Sequence, residues 1–244
     1  MTDDPDGYFD AAVAARYDDD PSADAAAVAP VAARLAELAG DRLALEFAIG
    51  TGRIALPLAA RGVAVSGIEL SRAMVAKLRD KPGGAELPVV IGDMTTARVE
   101  GAFGLVFLVY NTINNLLTQE AQVACFENAA RHLGPGGRFV IEVLVPPLRK
   151  LPPGETCVTF DRSDNHWGID EFDVVTQGFH SHHLVRTEAG WVTNSVPFRY
   201  VWPAELDLMA RIAGMELESR HADWAGTPFG PESPAHVSVW RKPG

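Results

Sequence analysis

A glycine-punctuated stretch at residues 43–61, LALEFAIGTGRIALPLAAR, constrains this chain more than any other. Apolar Leu43, Leu45, Phe47 and Ile49 lead into Gly50-Thr51-Gly52, and Ile54-Ala55-Leu56-Pro57-Leu58 resumes behind it. A short apolar run, a glycine turn and a helix-compatible run predict a strand, a tight loop and a helix. Without Cβ atoms, Gly50 and Gly52 let the loop turn sharply and a ligand lie against its backbone. The helix that follows directs its free N–H groups into the same loop. This is the pattern of a nucleotide-type site.

Two ligand classes compete for it. Gly50-Thr51-Gly52-Arg53-Ile54-Ala55 fits G-x-G-x-x-[GA], with Glu69 near the spacing of a ribose-binding acid, which would make the chain an NAD(P)-dependent oxidoreductase. Glu46, just ahead of the loop, speaks against this. A carboxylate there repels a pyrophosphate and pairs with an ammonium group. S-adenosylmethionine carries an α-ammonium and a sulfonium but no phosphate, so Glu46 favours it.

The ordered motifs give the same answer. Glu46-Phe47-Ala48-Ile49-Gly50-Thr51-Gly52 resembles motif I, E-x-[GA]-x-G-x-G, of class I S-adenosylmethionine-dependent methyltransferases. Ser66-Gly67-Ile68-Glu69-Leu70-Ser71 with Met74 is similar to their second motif, Ile91-Gly92-Asp93-Met94 to the third, and Leu133-Gly134-Pro135-Gly136-Gly137-Arg138-Phe139 to the turn into their fifth strand. The likeness is nearest to small-molecule methyltransferases of bacterial secondary metabolism. Ala48 stands where the first motif glycine is usual. The resemblance implies an α/β fold, a Rossmann-like seven-stranded mostly parallel sheet with helices on both faces. It places Glu46, Ala48, Gly50, Thr51, Gly52 and Arg53 on the cofactor from the first motif. From the later elements it adds Glu69 on the ribose diol, Leu70, Ser71 and Met74, Asp93 on the adenine amino group with Gly92 and Met94, and Tyr110 and Asn111.

The whole chain sets outer bounds. Its 244 residues suit a single domain with an insertion. There is no apolar run long enough to cross a bilayer, and MTDDPDGYFD lacks the basic and apolar regions of a signal peptide. Cys125 and Cys157 are the only cysteines, so no disulfide framework is expected and the cytoplasm is the expected compartment. A formal net charge of −11 repels phosphate backbones and argues against a nucleic-acid acceptor. The expected partner is a small-molecule methyl acceptor; a homo-oligomer is compatible with the sequence.

Residues 8–17 and 24–38 read as helices of an N-terminal cap over residues 1–40, with the acidic Asp18-Asp19-Asp20-Pro21 as a loop between them. The resemblance gives Tyr17 to the cofactor and Tyr8 to the acceptor. The cofactor-binding core spans residues 41–146. Within it, residues 63–69 and 88–91 are strands, and Ser71 is a helix N-cap. Residues 103–110, FGLVFLVY, form a central strand buried on both faces. The Asn111-Thr112-Ile113-Asn114-Asn115 loop at its carboxyl end faces the transferable methyl, which makes Asn111 and Asn114 candidate contacts to cofactor or acceptor. Cys125 falls mid-helix among small and apolar neighbours and reads as a structural thiol.

The βα alternation stops at Pro146-Pro147. Residues 147–202 read as a β-rich, acceptor-covering insertion with strands at 172–184 and 191–201, and residues 203–244 return to the core as a helix and two strands. His166, His180, His182 and His183 crowd into the insertion. His180 and His182 share a strand face and His183 points the other way. A metal needs three or four convergent ligands, a demand His-Ser-His-His alone does not meet. His182 and His180, with Asn114, are instead the catalytic candidates, and His166, His182 and Arg199 the acceptor-binding ones. A hydroxyl acceptor needs a base of imidazole type, whereas an amine needs only to be neutral. A non-catalytic S-adenosylmethionine-binding module is the remaining alternative.

Overall fold

The computed structural model describes residues 8–19, 24–188 and 190–244; Asp20 and Pro21 of the expected acidic loop and the first seven residues lie outside them. Eleven strands form two sheets among the described residues. The main sheet has the order β10-β11-β5-β4-β1-β2-β3, where β1 is Ala44–Phe47, β2 Val65–Glu69, β3 Val89–Ile91, β4 Phe103–Leu108, β5 Leu133–Leu144, β10 Glu216–His221 and β11 Ala235–Arg241. Strands β1 to β5 pair in parallel, and β11 runs antiparallel between β5 and β10.

The central strands explain their own sequence. Every residue of β1 and β4 is buried, so neither shows polar alternation. Along β4, Val106 and Leu108 join one core with Phe47, Phe126, Phe139 and Trp240, while Leu105 and Phe107 join the opposite core with Leu35, Ile54 and Leu58. Helices α5 (Gln119–His132) and α6 (Pro203–Ile212) cover the first face. On the other lie α2 (Ala25–Ala39) and the five-residue α3 (Ala55–Ala59). Phe126 packs edge-on to Phe139 at 5.0 Å and to Trp240 at 5.3 Å, geometry that adds to simple area burial. Cys125 sits in this core with its thiol pKa raised by burial, as a structural thiol should. Ser71 caps α4 (Arg72–Arg79) by accepting from Met74 N, and Thr118 caps α5 by accepting from Ala121 N.

After β5 the chain builds the separate antiparallel sheet β6-β7-β8-β9, comprising Cys157–Arg162, His166–Asp173, Gly178–Thr187 and Gly190–Arg199. The expected strand over 172–184 is in fact two strands. Asp173 accepts from Val175 N and Thr176 Oγ1, and Gln177 takes φ 60, so the chain reverses between β7 and β8. Strand β5 begins at Leu133, which pairs with Phe103 before a register shift brings Arg138 opposite Leu105. At the other end, α1 (Ala11–Arg16) is a short helix capped by Asp10, continued by a 3-10 turn at Tyr17–Asp19.

Candidate cofactor and acceptor site

The carboxyl ends of β1, β2, β3 and β4 open into a cavity of about 230 Å³. It is lined by Tyr17, Ala48, Gly50, Glu69, Leu70, Met74, Gly92, Asp93 and Met94 from the sequence-expected set. Phe9, Ile68 and Leu116, which were not singled out, complete the wall together with Thr112 and Asn115 of the loop expected to face the methyl. A narrow extension passes Glu46, Thr51, Arg53 and Tyr110.

Glu69 holds the loop and still faces the cavity. One carboxylate oxygen accepts from Gly50 N at 2.8 Å and the other from Ser71 N at 2.9 Å. A carboxylate oxygen has two acceptor directions, so one that holds a backbone N–H is able to accept a hydroxyl as well. Gly52 supports the turn from behind: a Cβ there would come within 2.3 Å of a Leu78 methyl. Asp93 is set by Thr95, whose backbone N and Oγ1 both donate to Oδ1 at 2.7 Å.

In the narrow extension, Glu46 is only 4% exposed and its Oε2 has no hydrogen-bond partner among the described residues. Burial, then the charge of Glu69, push the Glu46 carboxyl well above the usual carboxylate range. A buried, unpartnered carboxylate oxygen is costly unless a ligand donor meets it. The Arg53 guanidinium lies 4.6 Å from the Tyr17 ring centroid and 4.7 Å from that of Tyr110. An acid and a guanidinium at one end, with a second carboxylate on the cavity wall, are complementary in charge to an amino-acid-bearing nucleoside.

Comparison with known proteins agrees. Residues 44–137 match the model of a methyltransferase domain. The solved CcbJ methyltransferase of Streptomyces caelestis is 37% identical, with 95% of this chain and 96% of that one covered at a TM-score of 0.84. The chain belongs to the S-adenosylmethionine-dependent methyltransferases. The cypemycin N-terminal methyltransferase of a Streptomyces species is 26% identical over 77% of this chain and 78% of the relative. S-adenosylmethionine-bound CalS10 of Micromonospora echinaspora, an amino pentose methyltransferase, shares the fold at 23% identity and a TM-score of 0.70, with 96% of this chain and 98% of that one covered.

Within this methyltransferase the N-terminal segment is strapped across the cofactor cavity. Thr51 Oγ1 donates to Asp18 at 2.7 Å, Lys81 pairs with Asp18 at 2.7 Å and also donates to Thr51 O, and Ser71 Oγ donates to Phe9 O at 2.6 Å. Burial raises the Asp18 carboxyl, but the Lys81 and Thr51 hydrogen bonds outweigh it and hold it below its ordinary value. The acidic run had given no sign of this role.

Other expected residues act at one remove from the cavity. Asn111 takes φ 59 directly after Tyr110 at φ 54, and its Oδ1 accepts from Leu144 N at 2.7 Å, tying the end of β4 to β5. Asn114 is buried in the 3-10 turn Thr112–Asn115, and its Oδ1 has no partner among the described residues.

The insertion sorts its histidines by face. Pairing puts Phe172, Phe179 and Phe198 in one row, Asp170, Ser181 and Val196 in the next, then Gly168, His183 and Asn194. Phe172, Ser181 and Val196 are buried, so this is the inward face. Asn194 Nδ2 donates to the Tyr8 hydroxyl at 3.1 Å, and β9 packs on the Thr112–Asn115 turn beside the cavity. His180 and His182 occupy the outward face, their rings stacked at 6.0 Å, with His182 bonded to Ser195 Oγ at 2.7 Å. His166 and His183 stack on the inner side at 5.2 Å. Arg199 is buried against Glu205 at 2.7 Å and also reaches Gln177 and Gln122.

Proposed function

We propose that the chain methylates an amine nitrogen of a small molecule in secondary metabolism, in a cytoplasmic setting, with the four-stranded insertion forming the roof of the acceptor site. The Oε2 of buried Glu46, without a partner among the described residues, carries the cofactor half of this reading. Glu46 takes the α-ammonium, Arg53 the α-carboxylate and Glu69 the ribose diol. When bound, S-adenosylmethionine supplies a methyl group on an already activated sulfonium leaving group.

Residues of this chain then have three tasks. The strap from Phe9 to Asp18 excludes water from the cavity. The Thr112–Asn115 turn and the inner face of the insertion hold the acceptor in line, and alignment of this kind is worth roughly 7–11 kcal/mol. A group on that face keeps the nitrogen unprotonated. Nitrogen is favoured because the inner face offers carboxylates and imidazoles, which attract a cation, and because cypemycin N-terminal methyltransferase acts, by its name, on an N-terminus. The net charge of −11 argues against nucleic acid as the acceptor.

Calorimetry tests the cofactor half: S-adenosylmethionine and its demethylated product bind at micromolar strength or better, and NAD and NADP do not. Transfer of labelled methyl to amino sugars and short peptides with free N termini, set against matched alcohols, tests the atom. Methylation of the alcohols alone would overturn it.

A further inference from the structure

The inner face of the insertion carries a connected row of titratable groups that neither the cofactor nor the core uses. Asp161 of β6 bonds to His166 Nδ1 on β7. His166 Nε2 lies 3.0 Å from His183 Nδ1 on β8, and His183 Nε2 lies 3.3 Å from Ser181 Oγ. Asp170 of β7 sits opposite Ser181 in the ladder and also bonds to it. Gly168, opposite His183, leaves room for the Phe160 ring, which packs 5.5 Å from the His183 ring.

With both imidazoles neutral and the single Ser181 hydroxyl hydrogen turned toward His183 rather than Asp170, one set of tautomers fits the row. A carboxylate only accepts, so His166 Nδ1 carries a hydrogen toward Asp161. Nε2 of neutral His166 is then a bare acceptor, and His183 Nδ1–H donates to it. This leaves the basic lone pair of His183 on Nε2, pointing at Ser181. One further group on this face is unsatisfied: Asp170 Oδ1 is buried with no partner among the described residues.

We propose that His183 is the general base of the acceptor site, with His166 and Asp161 as the positioning residues behind it and Asp170 as the carboxylate that receives the acceptor ammonium. The proposal rests on the amine-methylating reading above. In the step, an N–H bond of the ammonium breaks, its electron pair stays on nitrogen, and the proton forms a bond to His183 Nε2, directly or through the Ser181 hydroxyl. The charge gained by His183 is stabilised through His166 by Asp161. The freed lone pair is the one methyl transfer consumes.

The surroundings suit a base. Burial first, and then neighbouring His166, hold the His183 pKa below its ordinary value, while Asp170 pulls it back and His182 lowers it further. From β9 the facing residue is neutral Asn194, with the Tyr8 hydroxyl behind it. His183 is therefore unprotonated near neutrality and able to accept.

The test uses the full chain, S-adenosylmethionine, and amino sugars and N-terminal peptides as acceptor probes. Wild-type kcat/KM should rise through an imidazole pKa and level off near neutrality. At pH 7, His183→Gln should lose about a hundredfold or more, recover as pH approaches the amine's own pKa, and bind S-adenosylmethionine within threefold of wild type. His166→Gln and Asp161→Asn should move the acid limb. A His183→Gln enzyme with the wild-type profile, or with lost cofactor affinity, overturns the proposal. Should no amine probe be methylated, the amine reading fails, and NMR titration of the His183 Cε1–H signal judges the relay separately. A midpoint unmoved by His166→Gln and Asp161→Asn overturns it; a shifted midpoint supports it.

Discussion

Glu69, at the end of β2, accepts the backbone N–H of Gly50, in the turn that follows β1, at 2.8 Å. The same carboxylate accepts Ser71 N at the head of α4, so one side chain joins the turn, the helix start and the cavity wall. If it holds the ribose diol as proposed, removing it costs the cofactor two charge-assisted hydrogen bonds, each worth about 1.5–3 kcal/mol. Glu69→Ala is expected to weaken S-adenosylmethionine binding by roughly a hundredfold or more in a folded protein, as read by calorimetry. Lower thermal stability with unchanged affinity would reduce Glu69 to a cap.

Ala48 is a second pressure point. It lines the cavity with φ 52, a left-handed conformation that costs an L-residue roughly 1–2 kcal/mol. Ala48→Gly should relieve that strain and, after the added unfolded-state entropy of glycine, gain up to about 1 kcal/mol in urea unfolding. Ala48→Val, branched at Cβ, should lose stability and cofactor affinity together. A stabilising valine would refute the strain.

Much of the cofactor half is legible because its signals are local. Strand, glycine turn and acid follow one another within a few residues, and backbone chemistry fixes what each does. The insertion is different. A period of two says that His182 and His183 point to opposite faces, but not which face meets the core; that depends on Tyr8 and the Thr112–Asn115 turn, far away in sequence. Asp18 could not be singled out from its acidic run because its partners, Thr51 and Lys81, are set by the fold. The turn inside residues 172–184 was hidden because Phe172 and Phe179 flank it with apolar character on both sides, and they stack across it at 5.2 Å.

Arg199 is fastened to the core. Its guanidinium bridges Glu205 of α6, Gln177 of the insertion and Gln122 of α5. Breaking a buried pair strands the remaining charge and costs about 3–5 kcal/mol. Arg199→Ala should therefore lose about that much in urea unfolding, while cofactor affinity stays within threefold, about 0.6 kcal/mol. Unchanged stability with lost methyl transfer would instead give Arg199 to the acceptor.

His236 makes the fold acid-sensitive. It is fully buried, bonded through Nδ1 to Ser238 Oγ and set against the Phe229 ring. Burial, then Arg220, lower its pKa from 6.5 to about 4, against the pull of Asp207. Between those values the unfolded chain binds the proton and the folded one does not, so stability falls as pH falls. From pH 7 to pH 5 the loss from this residue is about 2 kcal/mol. Urea unfolding at both pH values should show that much less acid sensitivity in His236→Gln than in wild type; equal sensitivity would place the effect elsewhere.

Among the described residues, the four-stranded sheet shares no ladder with the seven-stranded one. Each therefore satisfies its own backbone hydrogen bonds, and substitutions that redraw the roof leave the register beneath it alone. If the roof selects the acceptor as proposed, a lineage can exchange one acceptor for another by drift there while the floor beneath stays fixed. For protein engineering, the natural cut points are the two chain crossings, after β5 and before α6, where grafting a foreign roof disturbs only the side chains that meet across the seam.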